Sequence, residues 1–131
     1  MDIIKYNNSY SDKLLKFLNI NNLSIDFSLH NENALILLLL NDENEISGVS
    51  ETIDIGDETG EIKLLFIDKK YRNNGYGKLF IIKQELFYAH KYKEIILCNE
   101  EKNNTMSFVL HAGFKPYYYE NDGKIWCKKT F

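Results

Sequence analysis

The chain has 131 residues, 44% of them hydrophobic, 14% aromatic and 27% charged, with a net charge of −3. That length fits one domain, 1–131, around one core, and the apolar content excludes global disorder. The slight acidity argues against a nucleic-acid partner held by bulk electrostatics, while it tolerates a small cationic substrate. Fifteen of the sixteen basic residues are lysine; the single arginine is Arg72. Two cysteines, Cys98 and Cys127, are too few for a disulfide scaffold, and their apolar, strand-like surroundings predict buried, reduced thiols. The longest apolar run, Ala34 to Leu40, falls far short of the ~20 residues that span a bilayer, and the first residues lack the pattern of a signal peptide. A cytoplasmic protein without a membrane partner is the expectation.

In chain order, Ile3 to Tyr6 reads as an opening strand. Ser9 to Asp12 forms a capping-box pattern, and Leu14, Phe17 and Leu18 follow at helical spacing, predicting a helix over Tyr10 to Leu18. Residues 22–30 are ambiguous: Leu23 to Leu29 alternates like a strand, yet Leu23/Phe27 and Ile25/Leu29 also suit helical contacts. Ala34–Leu40, Ile46–Ile55 and Glu61–Ile67 read as three strands joined by the polar turn 41–44 and the Gly-bearing turn 56–60, hence an antiparallel meander. After the polar stretch 68–74 comes the most regular helix, Gly75 to His90, with Tyr76, Leu79, Phe80, Ile82, Leu86, Phe87 and Ala89 as its expected buried face. Glu94 to Cys98 is a short strand parallel to Glu61–Ile67 across that helix. A last helix runs from Asn104 or Thr105 to Ala112 and stops at Gly113; Phe114–Tyr119 and Lys124–Lys129 then form a hairpin. The fold class is α/β with a mixed sheet.

The segment Arg72-Asn73-Asn74-Gly75-Tyr76-Gly77-Lys78-Leu79 lies between a strand and the strongest helix. Glycines let consecutive N–H groups converge, and the helix adds free N-terminal amides and the positive end of its dipole. Such a loop suits a phosphate or pyrophosphate, with Arg72 supplying charge-assisted hydrogen bonds. A Walker A loop is excluded because Leu79 follows Gly77-Lys78 and no upstream Gly is present. A dinucleotide fingerprint is excluded because Phe80 replaces its third Gly. A bare tight connection that binds nothing is the plain alternative, and Lys69, Lys70 and Lys78 read equally well as solvated surface charges.

Arg-x-x-Gly-x-Gly opening a helix after Leu65-Phe66-Ile67-Asp68 resembles the acetyl-CoA motif of the Gcn5-related N-acetyltransferase (GNAT) superfamily. Ile46-Ser47-Gly48 resembles the start of that family's third strand, and Asn103 or Asn104 followed by Gly113-Phe114 resembles its C-terminal segment. The order of elements fits along nearly the whole chain. The resemblance implies a GNAT-like, mostly antiparallel sheet with a splayed parallel strand pair, flanked by helices.

It also implies an acetyl-CoA-dependent N-acetyltransferase that moves an acetyl group to a primary amine by direct attack in a ternary complex. The pyrophosphate would lie on the amides of Asn73, Asn74, Gly75, Tyr76, Gly77 and Lys78 beside Arg72, with Asn103 and Asn104 close by. The pantetheine arm would pair with Leu65, Phe66 and Ile67, and an amide near Phe66 or Ile67 would hold the thioester oxygen. Glu61 matches the glutamate that serves as base in several members, with Glu51 as second choice; a solvated strand-end carboxylate is the plain reading of Glu61. Where the family often places a tyrosine acid the chain has Val109; either Ser107 or one of Tyr117, Tyr118 and Tyr119 would substitute, or the thiolate, with a pKa near 8.5, would leave without an acid. That departure supports an alternative, a catalytically silent acyl-CoA-binding sensor or regulatory module. His30, His90 and His111 are scattered without ligand spacing, so no metal is expected. The acceptor would be a small-molecule or peptide amine, and the chain a monomer or homodimer.

Overall fold

The computed structural model describes residues 2–27, 34–88, 91–100 and 106–131, with only the backbone described at 100 and 106–108. Strand β1 (Asp2–Lys5) leads into a 3-10 turn and helix α1 (Ser11–Ile20). Strands β2 (Leu35–Leu40), β3 (Ile46–Gly56) and β4 (Thr59–Ile67) follow, then helix α2 (Tyr76–Tyr88) and strand β5 (Glu94–Glu100). Helix α3 (Met106–His111) and strands β6 (Lys115–Tyr119) and β7 (Lys124–Thr130) complete the described chain. The seven strands form one sheet in the order β1-β2-β3-β4-β5-β7-β6. Every neighbouring pair is antiparallel except β4 and β5. The last hairpin thus docks through β7, leaving β6 at the edge with all five of its residues exposed.

Two apolar clusters sandwich the sheet. On one face Leu14, Phe17 and Leu18 of α1 meet Ile36, Leu38, Leu40 and Val49. On the other, Phe80, Ile81 and Tyr88 of α2 and Val109 of α3 meet Leu35, Leu37, Leu39 and Ile62. β2 is buried along its whole length, which explains its unbroken run of leucine and isoleucine. Gly48 lets α2 come this close: a Cβ there would meet the Phe80 ring at 2.9 Å and the Phe66 carbonyl oxygen at 3.0 Å. Gly48→Ala should therefore lift α2 off the sheet and destabilise the fold by about 1–3 kcal/mol, as an over-packed core does, read by urea unfolding.

Several expectations need correction. The first helix starts at Ser11 because a 3-10 turn precedes it, capped by Asn7 Oδ1, which accepts from the Ser9 amide, instead of by a Ser9 box. Residues 23–26 are neither helix nor strand, but Leu23 and Ile25 pack against the α1 cluster; residues 28–30 lie outside the described ones. α2 buries Phe80, Ile81, Gln84 and Tyr88, whereas Leu79, Ile82 and Leu86 of its expected core face are exposed; Ala89 lies outside the described residues. The reason is Gln84: its side-chain amide donates to Ser50 Oγ on β3, so a polar side chain marks the inward face. Cys127 is buried, but Cys98 is only half-buried; no disulfide joins them.

Beside Gln84 the hydroxyls of Thr52, Tyr88 and Tyr92 are buried without a hydrogen-bond partner among the described residues. Burial pushes the Tyr88 phenol far above its usual value, offset only in part by the nearby Thr52 hydroxyl, and pushes Tyr92 up to about 12. An unfolded tyrosine ionises near pH 10, so both rings favour the folded state while protonated and withdraw that support as pH climbs past 10. Urea unfolding should show stability falling steeply between about pH 10 and 12. Tyr88→Phe should flatten that decline.

Candidate active site

β4 and β5 are hydrogen-bonded only where Thr59–Ile62 run beside Glu94–Leu97. Beyond Ile62 they part. The cause lies in β4: Glu51 faces Leu64 and Thr52 faces Ile62, so Lys63 is an extra, unmatched residue. A bulge of this kind bends and twists its strand, here away from β5. The gap is a cleft of about 800 Å³ lined by Ile62 to Ile67, Tyr71, Arg72, Asn73, Gly75, Gly77, Lys78, Leu97, Cys98, Asn99 and Val109.

The β4 edge of this cleft carries backbone groups that β3 does not use. The Asp68 amide donates to the Ser47 carbonyl at 2.8 Å, so Asp68, opposite Ser47 in the register, turns its backbone toward β3. Alternation along the ladder then turns Phe66 and Leu64 toward β3, and Leu65 and Ile67 toward the cleft. Phe66, expected among the backbone contacts, instead packs its ring on Phe17 of α1, with the Arg72 guanidinium 5.1 Å from its centroid.

At the outer end of the cleft the loop 68–75 is tied down before α2 begins. Asp68 caps a 3-10 turn at Lys69–Tyr71. Arg72 Nε donates to the Ile67 carbonyl at 2.8 Å, and the Asn74 side chain donates to the Arg72 carbonyl at 3.3 Å. Asn73 and Gly75 take positive φ of 64° and 80°, so the backbone reverses twice before the free amides of α2. Tyr76 turns inward, edge-on to Tyr71 at 6.4 Å. Arg72, Asn73, Gly75, Gly77 and Lys78 all border the cleft; Asn103 and Asn104 lie outside the described residues.

At the inner end, alternation from Val49 puts Glu51, Ile53 and, opposite Ile53, Glu61 on the α1 face of the sheet. Glu61 is mostly shielded, its side chain 15% exposed, and pairs with Lys63 Nζ at 3.0 Å. Glu51 is buried on the neighbouring strand. Tyr117, the unmatched residue of a bulge on β6, shares this environment. Burial, then the carboxylates of Glu94 and Glu61, raise its phenol above the usual value. Burial, with Cys98 nearby, likewise raises the Cys127 thiol. Val109 is buried against the cleft, and Ser107 has no described side chain. No cluster of three or more His, Cys, Asp or Glu suited to a metal occurs among the described residues. No helix among them is long and apolar enough to cross a membrane.

A split parallel pair, an open strand edge and a glycine loop at a helix N-terminus thus converge, and residues 5–114 match the profile of the acetyltransferase (GNAT) family. The chain belongs to the GNAT acetyltransferase family. An acetyltransferase of that family from Staphylococcus aureus shares 22% identity over 98% of both chains, with a TM-score of 0.79. A GNAT acetyltransferase from Streptococcus pneumoniae shares 18% over 99% of both chains, with a TM-score of 0.77. An aminoglycoside 6'-N-acetyltransferase complexed with coenzyme A is 16% identical over 99% of this chain and 97% of its own, with a TM-score of 0.78. No curated protein sequence matches the chain significantly. At these identities the structural neighbours establish the shared GNAT fold: a mixed, mostly antiparallel sheet with one splayed parallel pair.

Two features of this site were hidden in the sequence. The bulge at Lys63 depends on which β3 residue faces which on β4, information that no single strand carries. Arg72 shows why it stands alone: besides its charge it bonds a strand-end carbonyl through Nε and covers a ring, which a lysine cannot do together.

Proposed function

We propose that this GNAT protein transfers an acetyl group from acetyl-CoA to a primary amine within a ternary complex. The observation that carries this reading is the backbone edge of β4 that β3 leaves free, capped by Arg72 at the Ile67 carbonyl, with a phosphate-type loop at one end and Glu61 at the other. Coenzyme A would supply the activated thioester and a pyrophosphate handle. The Gly75 turn and the first amides of α2 would hold that pyrophosphate, with Arg72 and Lys78 beside it. The Ile67 and Leu65 groups would pair with the pantetheine arm as an added strand. Of the two, Leu65 lies nearer Glu61, so its amide would face the thioester oxygen and stabilise charge gathered there.

An alkylammonium has no lone pair at pH 7, so the acceptor must first lose a proton. Glu61 would take it through an intervening water, since about 13 Å of strand separates its Cα from that of Leu65. The amine nitrogen then bonds to the acetyl carbon as the carbon–sulfur bond breaks. The thiolate, with a pKa near 8.5, leaves without an obligatory acid, so Val109 does not block the reaction. The acceptor would enter from the α1 face, where Glu51, Glu61 and Tyr117 lie, as a small-molecule or peptide amine.

Free thiol release from acetyl-CoA across a panel of primary amines tests this reading. Release with at least one amine class is the expected result. Val109 in the cleft favours a second reading, an acyl-CoA sensor: acetyl-CoA would then raise the melting temperature while every amine stays inert. No thermal shift at all would overturn both readings. Arg72→Lys should leave the fold intact but raise the Kd for acetyl-CoA about tenfold, or about 1.4 kcal/mol, by calorimetry.

A further inference from the structure

Helix α2 is apolar on both sides. Opposite the buried Phe80, Ile81, Gln84 and Tyr88, it exposes Leu79 by 37%, Ile82 by 44% and Leu86 by 69%. Their i, i+3, i+7 spacing is that of a coiled-coil seam, and at about 100° per residue they fall within a sector of about 60°. We propose that this stripe pairs two copies of the chain, α2 against α2, antiparallel about a two-fold axis passing near Ile82. The pairing does not rest on the acetyl-transfer reading, although Lys78 borders both the stripe and the cleft.

The stripe can meet its own copy in either orientation, and the charged flanks select the antiparallel one. Leu79 and Leu86 lie three and four residues either side of Ile82. An antiparallel pair therefore seats Leu79 of one copy against Leu86 of the other, with the two Ile82 side chains meeting at the axis. Charge agrees. Lys78 and Glu85 flank the stripe on one side, and antiparallel helices bring like flanks together. Lys78 of each copy then faces Glu85 of the other, twice over. Glu85 also pairs with Lys129 of its own chain, which orients its carboxylate. A parallel pair would instead set this flank against Lys83. In the antiparallel pair Lys83 meets its own copy near the axis on the far flank, which keeps the association weak. A concentration-dependent dimer is therefore expected.

Sedimentation equilibrium between about 10 and 500 µM should show the mass rising from monomer toward dimer. Leu86→Lys, on a side chain already two-thirds exposed, should keep the circular dichroism spectrum and weaken dimerisation at least tenfold. The axis is tested by cysteines. Ile82→Cys should cross-link to itself under mild oxidation much faster than Leu15→Cys on the exposed side of α1, with the disulfide-linked pair of identical α2 peptides identified by mass spectrometry. Leu79→Cys and Leu86→Cys should cross-link only when mixed. A monomer over the whole range overturns the proposal, as does a dimer that survives Leu86→Lys or an Ile82→Cys that reacts no faster than the α1 control.

Discussion

Glu61→Gln should lower amine acetylation at pH 7 by about 10²–10³-fold, the range a positioned base contributes, while the Kd for acetyl-CoA stays within twofold. The argument rests on where Glu61 stands. It is the strand carboxylate on the α1 face just before the Lys63 bulge, mostly shielded from water, with Lys63 Nζ 3.0 Å away. Glutamine keeps the shape but cannot accept a proton at neutral pH. Loss of the Lys63 pair is a small perturbation, because Lys63 is 44% exposed and such pairs contribute about 0–1 kcal/mol. The defect should shrink as pH rises toward about 10, where the amine sheds its own proton. Rate–pH profiles of the two proteins should therefore converge at alkaline pH, below the range in which Tyr88 and Tyr92 ionise. Equal turnover at pH 7 would remove Glu61 from the mechanism and pass the role to Glu51, whose glutamine variant is the parallel measurement.

How far the site could be read in advance depended on whether its chemistry is local. Arg72 through Lys78 is a contiguous loop whose glycines and following helix have meaning by themselves, and the structure places it at the mouth of the cleft. The three-strand meander was legible for the same reason, since the polar turn after β2 and the tight turn at 57–58, inside the expected 56–60, join neighbouring strands. Burial on α2 was not legible. The helix sequence YGKLFIIKQELFY carries apolar residues all round, so periodicity selects no face, and the inward side is set by Gln84 finding Ser50 on β3. The position of β7 between β5 and β6 was likewise hidden, because a hairpin pairs internally the same way whichever strand docks. The amide geometry of β4 needed the ladder register itself. It turns the Leu65 and Ile67 amides to the cleft and the Phe66 amide to β3, which is why the carbonyl-binding amide we propose is Leu65.

Leu65→Pro isolates that backbone amide. Proline removes one N–H, which in the interior of a ladder breaks a hydrogen bond and is tolerated mainly at open edges. Leu65 sits at such an edge: its N–H faces the cleft, so the β3–β4 ladder loses no donor. Phe66→Pro, one residue on, removes a donor that β3 does use. The two variants should therefore separate. Leu65→Pro should remain folded, with some loss from its half-buried side chain, yet show turnover reduced at least 10²-fold, the magnitude lost with one donor to a developing oxyanion. Its Kd for acetyl-CoA should rise far less, because the Gly75 loop and Arg72 still hold the phosphates. Phe66→Pro should instead unfold at markedly lower urea. If Leu65→Pro turns over normally while folded, the thioester oxygen is held elsewhere, and the Ile67 amide becomes the group to remove next.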